Sequence, residues 1–196
     1  MSQISSQTQI AALIQSSIDA KKSLLEGGYL AQIERVLGLW IAAYRKGGKI
    51  LFCGNGGSAA DAQHLAAELS GRFYTDRPPL YAEALHVNTS YLTAVGNDYG
   101  YDFVFERMTE AAGRKGDILV ALSTSGNSPN VLKAVEKANQ IGMTTIGMAG
   151  SRGGKLKSLC QECLCVPSDD TPRIQEMHLL IGHILCQMVE KALFEK

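Results

Sequence analysis

Apolar residues recur at helical spacing twice near the start of the chain. Between Gln9 and Leu25 they are Ile10, Leu13, Ile14, Ile18 and Leu25, and further on they are Leu30, Ile33, Leu37, Trp40, Ile41 and Tyr44. That spacing predicts two amphipathic helices. Gly27-Gly28 separates them and Gly47-Gly48 ends the second, as glycines do past a helix C-terminus. Beyond this hairpin the pattern changes to short apolar runs of strand type: Lys49–Cys53, Ala82–Val87, Asp117–Leu122, Met143–Gly150 and Glu162–Pro167. The Asp117 run is continuously apolar, as in a strand of a parallel sheet buried on both faces. Helical stretches lie between the runs: one opening at Ser58, one from Asp102 to Gly113, one from Asn130 to Gln140, and a last one after Pro172. The alternation predicts an α/β fold with a doubly wound parallel sheet flanked by helices, whose ligand lies at the carboxyl ends of the strands. The expected organisation is a single domain over residues 1–196, with residues 1–47 as an N-terminal helical hairpin and 48–196 as the α/β core. The hairpin either covers the sheet or offers a surface to other subunits; the Leu37 and Trp40 stripe is the candidate for the second role.

Two strand ends carry concentrated polar chemistry. Gly54-Asn55-Gly56-Gly57 follows the first strand, and Ser58 with Asp61 forms an S-x-x-D helix start. Asp61, His64 and Glu68 then recur at spacings of three and four, on one helix face. After the third strand comes Ser123-Thr124-Ser125-Gly126-Asn127-Ser128, with Ser128 as N-cap and Pro129 as first helical residue. A hydroxyl-rich turn feeding a helix N-terminus is a phosphate cradle; without G-K-[ST] it is not a nucleoside triphosphate loop. Asn97-Asp98 reads as a turn, explained by turn chemistry or by a ligand role. His86 reads as structural, and His178 as a boundary residue of the last helix. In that helix Gln175 and His183 stand eight apart, about 80° past two full turns and about 12 Å of rise, so both can face one cleft but share a single atom only by long reach.

Composition narrows the class. The 196 residues are 45% hydrophobic with 19 basic and 19 acidic side chains, an ordinary globular balance that argues against a nucleic-acid surface. Met1-Ser2-Gln3-Ile4-Ser5 lacks the build of a signal peptide, and no uninterrupted apolar run reaches the roughly 18 residues of a membrane span. A cytoplasmic protein without a membrane partner is expected. Five cysteines, an odd number, make a poor disulfide framework. Cys160-x-x-Cys163-x-Cys165 has knuckle-like spacing but no second pair, so these are expected to be small residues of a buried strand.

The inventory is a phosphate cradle, a histidine with a carboxylate on one helix, and a histidine with an amide on another. It suits moving a proton beside the carbonyl of a phosphorylated sugar: a carboxylate abstracts, an imidazole returns, and a divalent metal polarises the oxygen. The spacing His64-x-x-x-Glu68 fits a helix-surface ion pair as well as a metal site.

The runs Cys53 to His64, Ser123 to Ser128 and Arg173-Ile174-Gln175-Glu176-Met177-His178 closely resemble the phosphoheptose isomerases of the sugar isomerase (SIS) domain family. The likeness extends to the hairpin, the Val95 to Gly100 segment and His183. The resemblance implies an SIS fold and an aldose-ketose isomerase that converts sedoheptulose 7-phosphate to D-glycero-D-manno-heptose 7-phosphate, toward nucleotide-activated heptose and lipopolysaccharide. It implies one zinc ion per subunit on His64, Glu68, Gln175 and His183, with Glu68 as base and His183 as acid. Substrate contacts implied are Asn55, Gly56, Gly57, Glu68, Asn97, Asp98, Ser123, Thr124, Ser125, Ser128 and Gln175. A homotetramer is implied as well. Where some members place an aspartate three residues before the glutamine, this chain has Pro172, with Asp169 and Asp170 nearby. The alternative is a non-catalytic SIS protein that binds a replication initiator or senses sugar phosphates. Initiator-binding relatives lose the glutamate and the terminal histidine, and both are present here.

Overall fold

The computed structural model describes residues 5–195, so the Met1–Ser5 reading lies outside it but for Ser5. Five strands, β1 (Ile50–Gly54), β2 (Ala82–Ala84), β3 (Ile118–Leu122), β4 (Thr144–Ala149) and β5 (Glu162–Cys165), form one parallel sheet in the order β2-β1-β3-β4-β5. The eight helices of the described residues are α1 (Ser6–Lys22), α2 (Tyr29–Arg45), α3 (Gly57–Ser70), α4 (Thr89–Asp98), α5 (Val104–Ala112), α6 (Pro129–Ile141), α7 (Leu156–Leu159) and α8 (Thr171–Phe194).

Strand alternation divides the core. Ile50, Phe52, Ile118, Val120 and Leu122 face one side, where Trp40, Leu65, Ile181 and Leu185 from α2, α3 and α8 cover them. Leu51, Leu119 and Ala121 face the other, under Val95, Phe105, Val131 and Val135 from α4, α5 and α6. Every residue of β1 and β3 is buried, which is why both read as unbroken apolar runs. The order reverses between β1 and β3, whose ends pair at Gly54 and Leu122. The two polar loops therefore leave neighbouring strands at the switch point where α/β sheets bind ligands.

Several expectations shift. Trp40 is 1% exposed and meets Phe52 edge-on with ring centroids 5.8 Å apart, so α2 is a covering layer: Ile33 and Trp40 are core, Leu37, Ile41 and Tyr44 pack half-buried against it, and Leu30 is exposed. The open apolar face belongs to α1, where Ile10, Leu13, Ile14 and Ile18 are all exposed and no residue is buried. Polar contacts hold α1 to α8: the Ser17 hydroxyl donates to Glu176 (2.5 Å), and Arg173 donates to the Leu13 carbonyl (2.9 Å). The second strand stops at Ala84, leaving His86 outside it. Asn97-Asp98 ends a helix, α4, that the sequence reading missed; Asn88 caps its start by accepting from the Tyr91 amide. Cys53 and Cys186 are buried, whereas Cys160, Cys163 and Cys165 are only half-buried.

Among the described helices α8 alone is long and apolar enough to cross a membrane. Its apolar face is accounted for by packing, since Ile174, Met177, Ile181, Leu185 and Val189 lie in the core. It also carries buried Glu190, paired with Arg77.

Candidate functional site

The first loop is tight because side chains are excluded from it. Gly56 has φ of +55°, the left-handed region that favours glycine. A Cβ on Gly54 would stand 2.7 Å from the Ser58 carbonyl oxygen. The helix consequently opens two residues earlier than its S-x-x-D pattern suggested: Gly56 is the N-cap, and Ser58 is buried in the first turn of α3 rather than capping it.

Asn55 and Asn130 exchange two amide hydrogen bonds, each 2.9 Å, and the Tyr101 hydroxyl donates to Asn55 Oδ1 at 3.1 Å. Asn130 is buried at the start of α6, so this pair clamps the β1 loop to the serine loop. The sequence reading missed it; a polar residue directly after an N1 proline was the available signal. In the serine loop, Ser123 and Ser128 hydroxyls lie 3.0 Å apart, and Ser125 Oγ accepts from the Asn127 amide at 3.2 Å. Ser128 is the N-cap position and Pro129 the first helical residue, as read, yet the Ser128 side chain turns to Ser123 instead of its own helix. Thr124, Ser125 and Asn127 line a cavity of about 360 Å³ with Arg152, Asp169 and Thr171. Asp169 thus stands near where the expected aspartate is replaced by Pro172. Asn97 and Asp98 are exposed at the end of α4 and bond to each other at 2.8 Å, but to no other candidate among the described residues.

The second cluster forms where α3 and α8 lie side by side. Gln175 packs on Gly57, where a Cβ would come within 2.5 Å of its Nε2; Gly182 packs on Leu65, and His183 meets His64. His64 Nε2 is 2.8 Å from His183 Nε2 and 3.4 Å from Glu68 Oε1. The ligand atoms of these three residues all lie within 4.8 Å of one another. Two imidazole nitrogens facing each other beside a carboxylate are the donor types zinc takes, so the residues fit such an ion. Burial first, and then His64, lowers the His183 pKa, with Glu68 opposing; the imidazole is kept in the neutral form that ligates metal. Gln175 meets α3 seven residues before His64, about 10 Å of helix rise earlier. The three-residue cluster therefore forms within one chain without it.

Beneath Glu68 lies a network centred on Glu190 of α8. Glu190 accepts from the amides of Phe73 (3.1 Å), Tyr74 (2.9 Å) and Thr75 (2.9 Å), and from Arg77 Nε (3.2 Å). Arg77 also donates to the carbonyls of Glu68 (3.0 Å) and Leu69 (2.7 Å). It ties the last turn of α3 to α8 and holds the Phe73 ring 5.7 Å from that of His183. His178 is fully buried, and burial pushes its pKa down to about 4 although its Nε2 is 3.3 Å from the Ala149 carbonyl. It is a core histidine.

A family profile for the SIS domain matches residues 15–150. The chain is 55% identical over 186 residues to the phosphoheptose isomerase of Clostridium acetobutylicum, covering 94% of this chain and 95% of that one. Among solved structures, a phosphoheptose isomerase from Francisella tularensis superposes with a TM-score of 0.92 at 38% identity, covering 96% of this chain and all of that one. The enzyme from Neisseria gonorrhoeae gives 0.89 at 43% identity, over 95% of this chain and 100% of that one.

Proposed function

The chain belongs to the SIS-domain family and, within it, to the phosphoheptose isomerases, and from that premise we propose that it converts sedoheptulose 7-phosphate to D-glycero-D-manno-heptose 7-phosphate. The observation that carries the reading is the meeting of His64, Glu68 and His183 in a chain so similar to such enzymes along its whole length. The serine loop and the start of α6 hold the phosphate, with Ser123, Thr124, Ser125 and Ser128 as hydroxyl donors and the helix N-terminus as positive pole. Asn55, Gly56 and Gly57 border the sugar chain, and Asn97 and Asp98 reach it from α4.

The reaction moves one proton from C1 to C2 and another from O1 to O2. Glu68 takes the C1 proton as its carboxylate, and the resulting enediol receives it back at C2. His183 serves the oxygens as acid, its neutral imidazole passing through the charged form. His64, Glu68 and His183, with Gln175 as fourth ligand, hold one zinc ion per subunit. When bound, that ion polarises the carbonyl and the neighbouring hydroxyl.

The exposed apolar face of α1 supports assembly, and a homotetramer is the proposed state. Gln175 of one subunit serving the cluster of another fits its separation from His64. The proposed setting is the cytoplasm, in heptose supply for lipopolysaccharide, with neither nucleic acid nor membrane as partner. Retention of both Glu68 and His183 disfavours the non-catalytic alternative. The test is Glu68→Gln: NMR of the products should show turnover lowered by about 100-fold or more, with substrate still bound. Activity within a few-fold of the parent would refute the base assignment.

A further inference from the structure

Asn55 is held at both ends. Its backbone carbonyl accepts from the Ser58 and Ala59 amides in the first turn of α3, at 3.0 and 3.3 Å, and its side chain meets Asn130 and Tyr101. Asn130 stands second in α6, where backbone amides lack helical partners, and its Oδ1 accepts from the Val131 amide at 3.0 Å. A backbone N–H only donates, so that contact fixes which end of the Asn130 amide is oxygen. The rest follows from it. Asn130 Oδ1 also accepts from Asn55 Nδ2, and Asn130 Nδ2 donates to Asn55 Oδ1, both at 2.9 Å. The Tyr101 hydroxyl donates to the same Asn55 Oδ1 at 3.1 Å, which fills both of its lone pairs. Turning the Asn55 amide over would set oxygen against oxygen and nitrogen against nitrogen, so its partners admit one orientation.

An amide nitrogen carries two protons, and the pair uses one from each residue. The second proton of Asn130 is enclosed with its residue, which is 2% exposed. That of Asn55 belongs to a half-buried residue and has no partner among the described residues. It lies just past the carboxyl end of β1, where a sheet of this kind places its ligand.

We propose that Asn130 and Tyr101 are positioning residues that hold Asn55 as a hydrogen-bond donor to an oxygen of the sugar chain. The proposal rests on the reading of Asn55 as a substrate contact. A free asparagine side chain offers donor or acceptor alike and loses rotamer freedom when a ligand binds; the clamp makes the choice and orders the side chain beforehand. Fixed as a donor, Asn55 matches a lone pair of a hydroxyl, carbonyl or phosphate oxygen. It has nothing to offer a group that only donates, such as the ammonium of an amino sugar.

The test is a double-mutant cycle on turnover of sedoheptulose 7-phosphate by the full chain, followed by NMR. Asn55→Ala removes the donor and should lower kcat/KM by roughly three- to tenfold. Asn130→Ala and Tyr101→Phe should each produce part of that loss, and neither should add to it once Asn55 is alanine, because a residue that acts through another then has nothing to act on. Asn55→Asp keeps the bonds from Asn130 Nδ2 and Tyr101 but presents an acceptor, and should lower kcat/KM further than Asn55→Ala. Tyr101 is 55% exposed, so Tyr101→Phe reads the coupling even where Asn130→Ala loses stability. Losses that multiply in the double variants, the absence of loss in both single variants, or an Asn55→Asp chain as active as Asn55→Ala would overturn the positioning role and leave Asn55 a contact. An Asn55→Ala chain with unchanged kcat/KM would overturn the contact and the positioning role with it.

Discussion

Gly182→Ala tests whether the spacing of α3 and α8 controls the histidine cluster. The added Cβ would stand 2.5 Å from both Cδ atoms of Leu65 and 3.0 Å from its Cγ. Carbon atoms settle at about 3.5–4.0 Å, so the contact must open by roughly 1 Å. Leu65 is fully buried among core residues and has nowhere to swing. Alanine contributes roughly 0.8–1.0 kcal/mol of helix propensity over glycine, while overpacking a core costs roughly 1–3 kcal/mol. The net expectation is a loss of up to about 2 kcal/mol, and each 1 kcal/mol lowers Tm by roughly 2–4 °C in a chain of this size. The effect on the site should be larger. His64 and His183 adjoin Leu65 and Gly182, so the same displacement stretches their 2.8 Å contact to nearly 4 Å. Affinity for the proposed zinc ion should fall by roughly tenfold or more, and turnover with it. Calorimetry, elemental analysis and NMR turnover read the three quantities, and Leu65→Ala in the same chain should restore the metal by vacating the space. A Gly182→Ala chain that gains stability and keeps its metal would refute the reasoning.

Other expectations concern the supporting structure. Gly126 has φ of +66° and a Cβ there would collide with the Gly153 carbonyl, so Gly126→Ala should destabilise the serine loop by roughly 1–3 kcal/mol and raise KM for the phosphorylated sugar; unchanged KM and Tm would contradict this. Burial raises the Glu190 pKa, but the Thr75, Tyr74 and Phe73 amides outweigh it and hold the value down to about 2, against a usual 4.5. A depressed carboxyl stabilises fully above its unfolded value, and that contribution is lost as pH falls from 4.5 toward about 2. Glu190→Gln should therefore flatten the acid limb of a stability–pH profile in that window, and an identical acid limb would exclude Glu190 as its source.

Much of the fold was readable because burial leaves local signatures. Strands covered on both faces must be apolar throughout, so β1 and β3 stood out. The helical period placed His64 and Glu68 on one face, and the glycine and serine loops marked the strand ends. Where burial is slight the signature vanishes: α4 buries only Val95, so its Gly96-Asn97-Asp98 end looked like a turn. Periodicity also cannot tell a face that meets the sheet from one left open. It rated the stripes of α1 and α2 alike, and only packing put Trp40 in the core and left Ile14 outside.

Contacts between distant elements depend on strand order and helix pairing, which no local pattern contains. His64 and His183 are 119 residues apart and meet because Gly182 lets α8 lie against Leu65. Glu190 reaches Arg77 across 113 residues, beneath the carbonyl of Glu68. The types of side chain and their faces were therefore set locally, residue by residue. Which of them meet was decided by the close packing of α3 on α8, where one methyl group more would keep the two histidines apart.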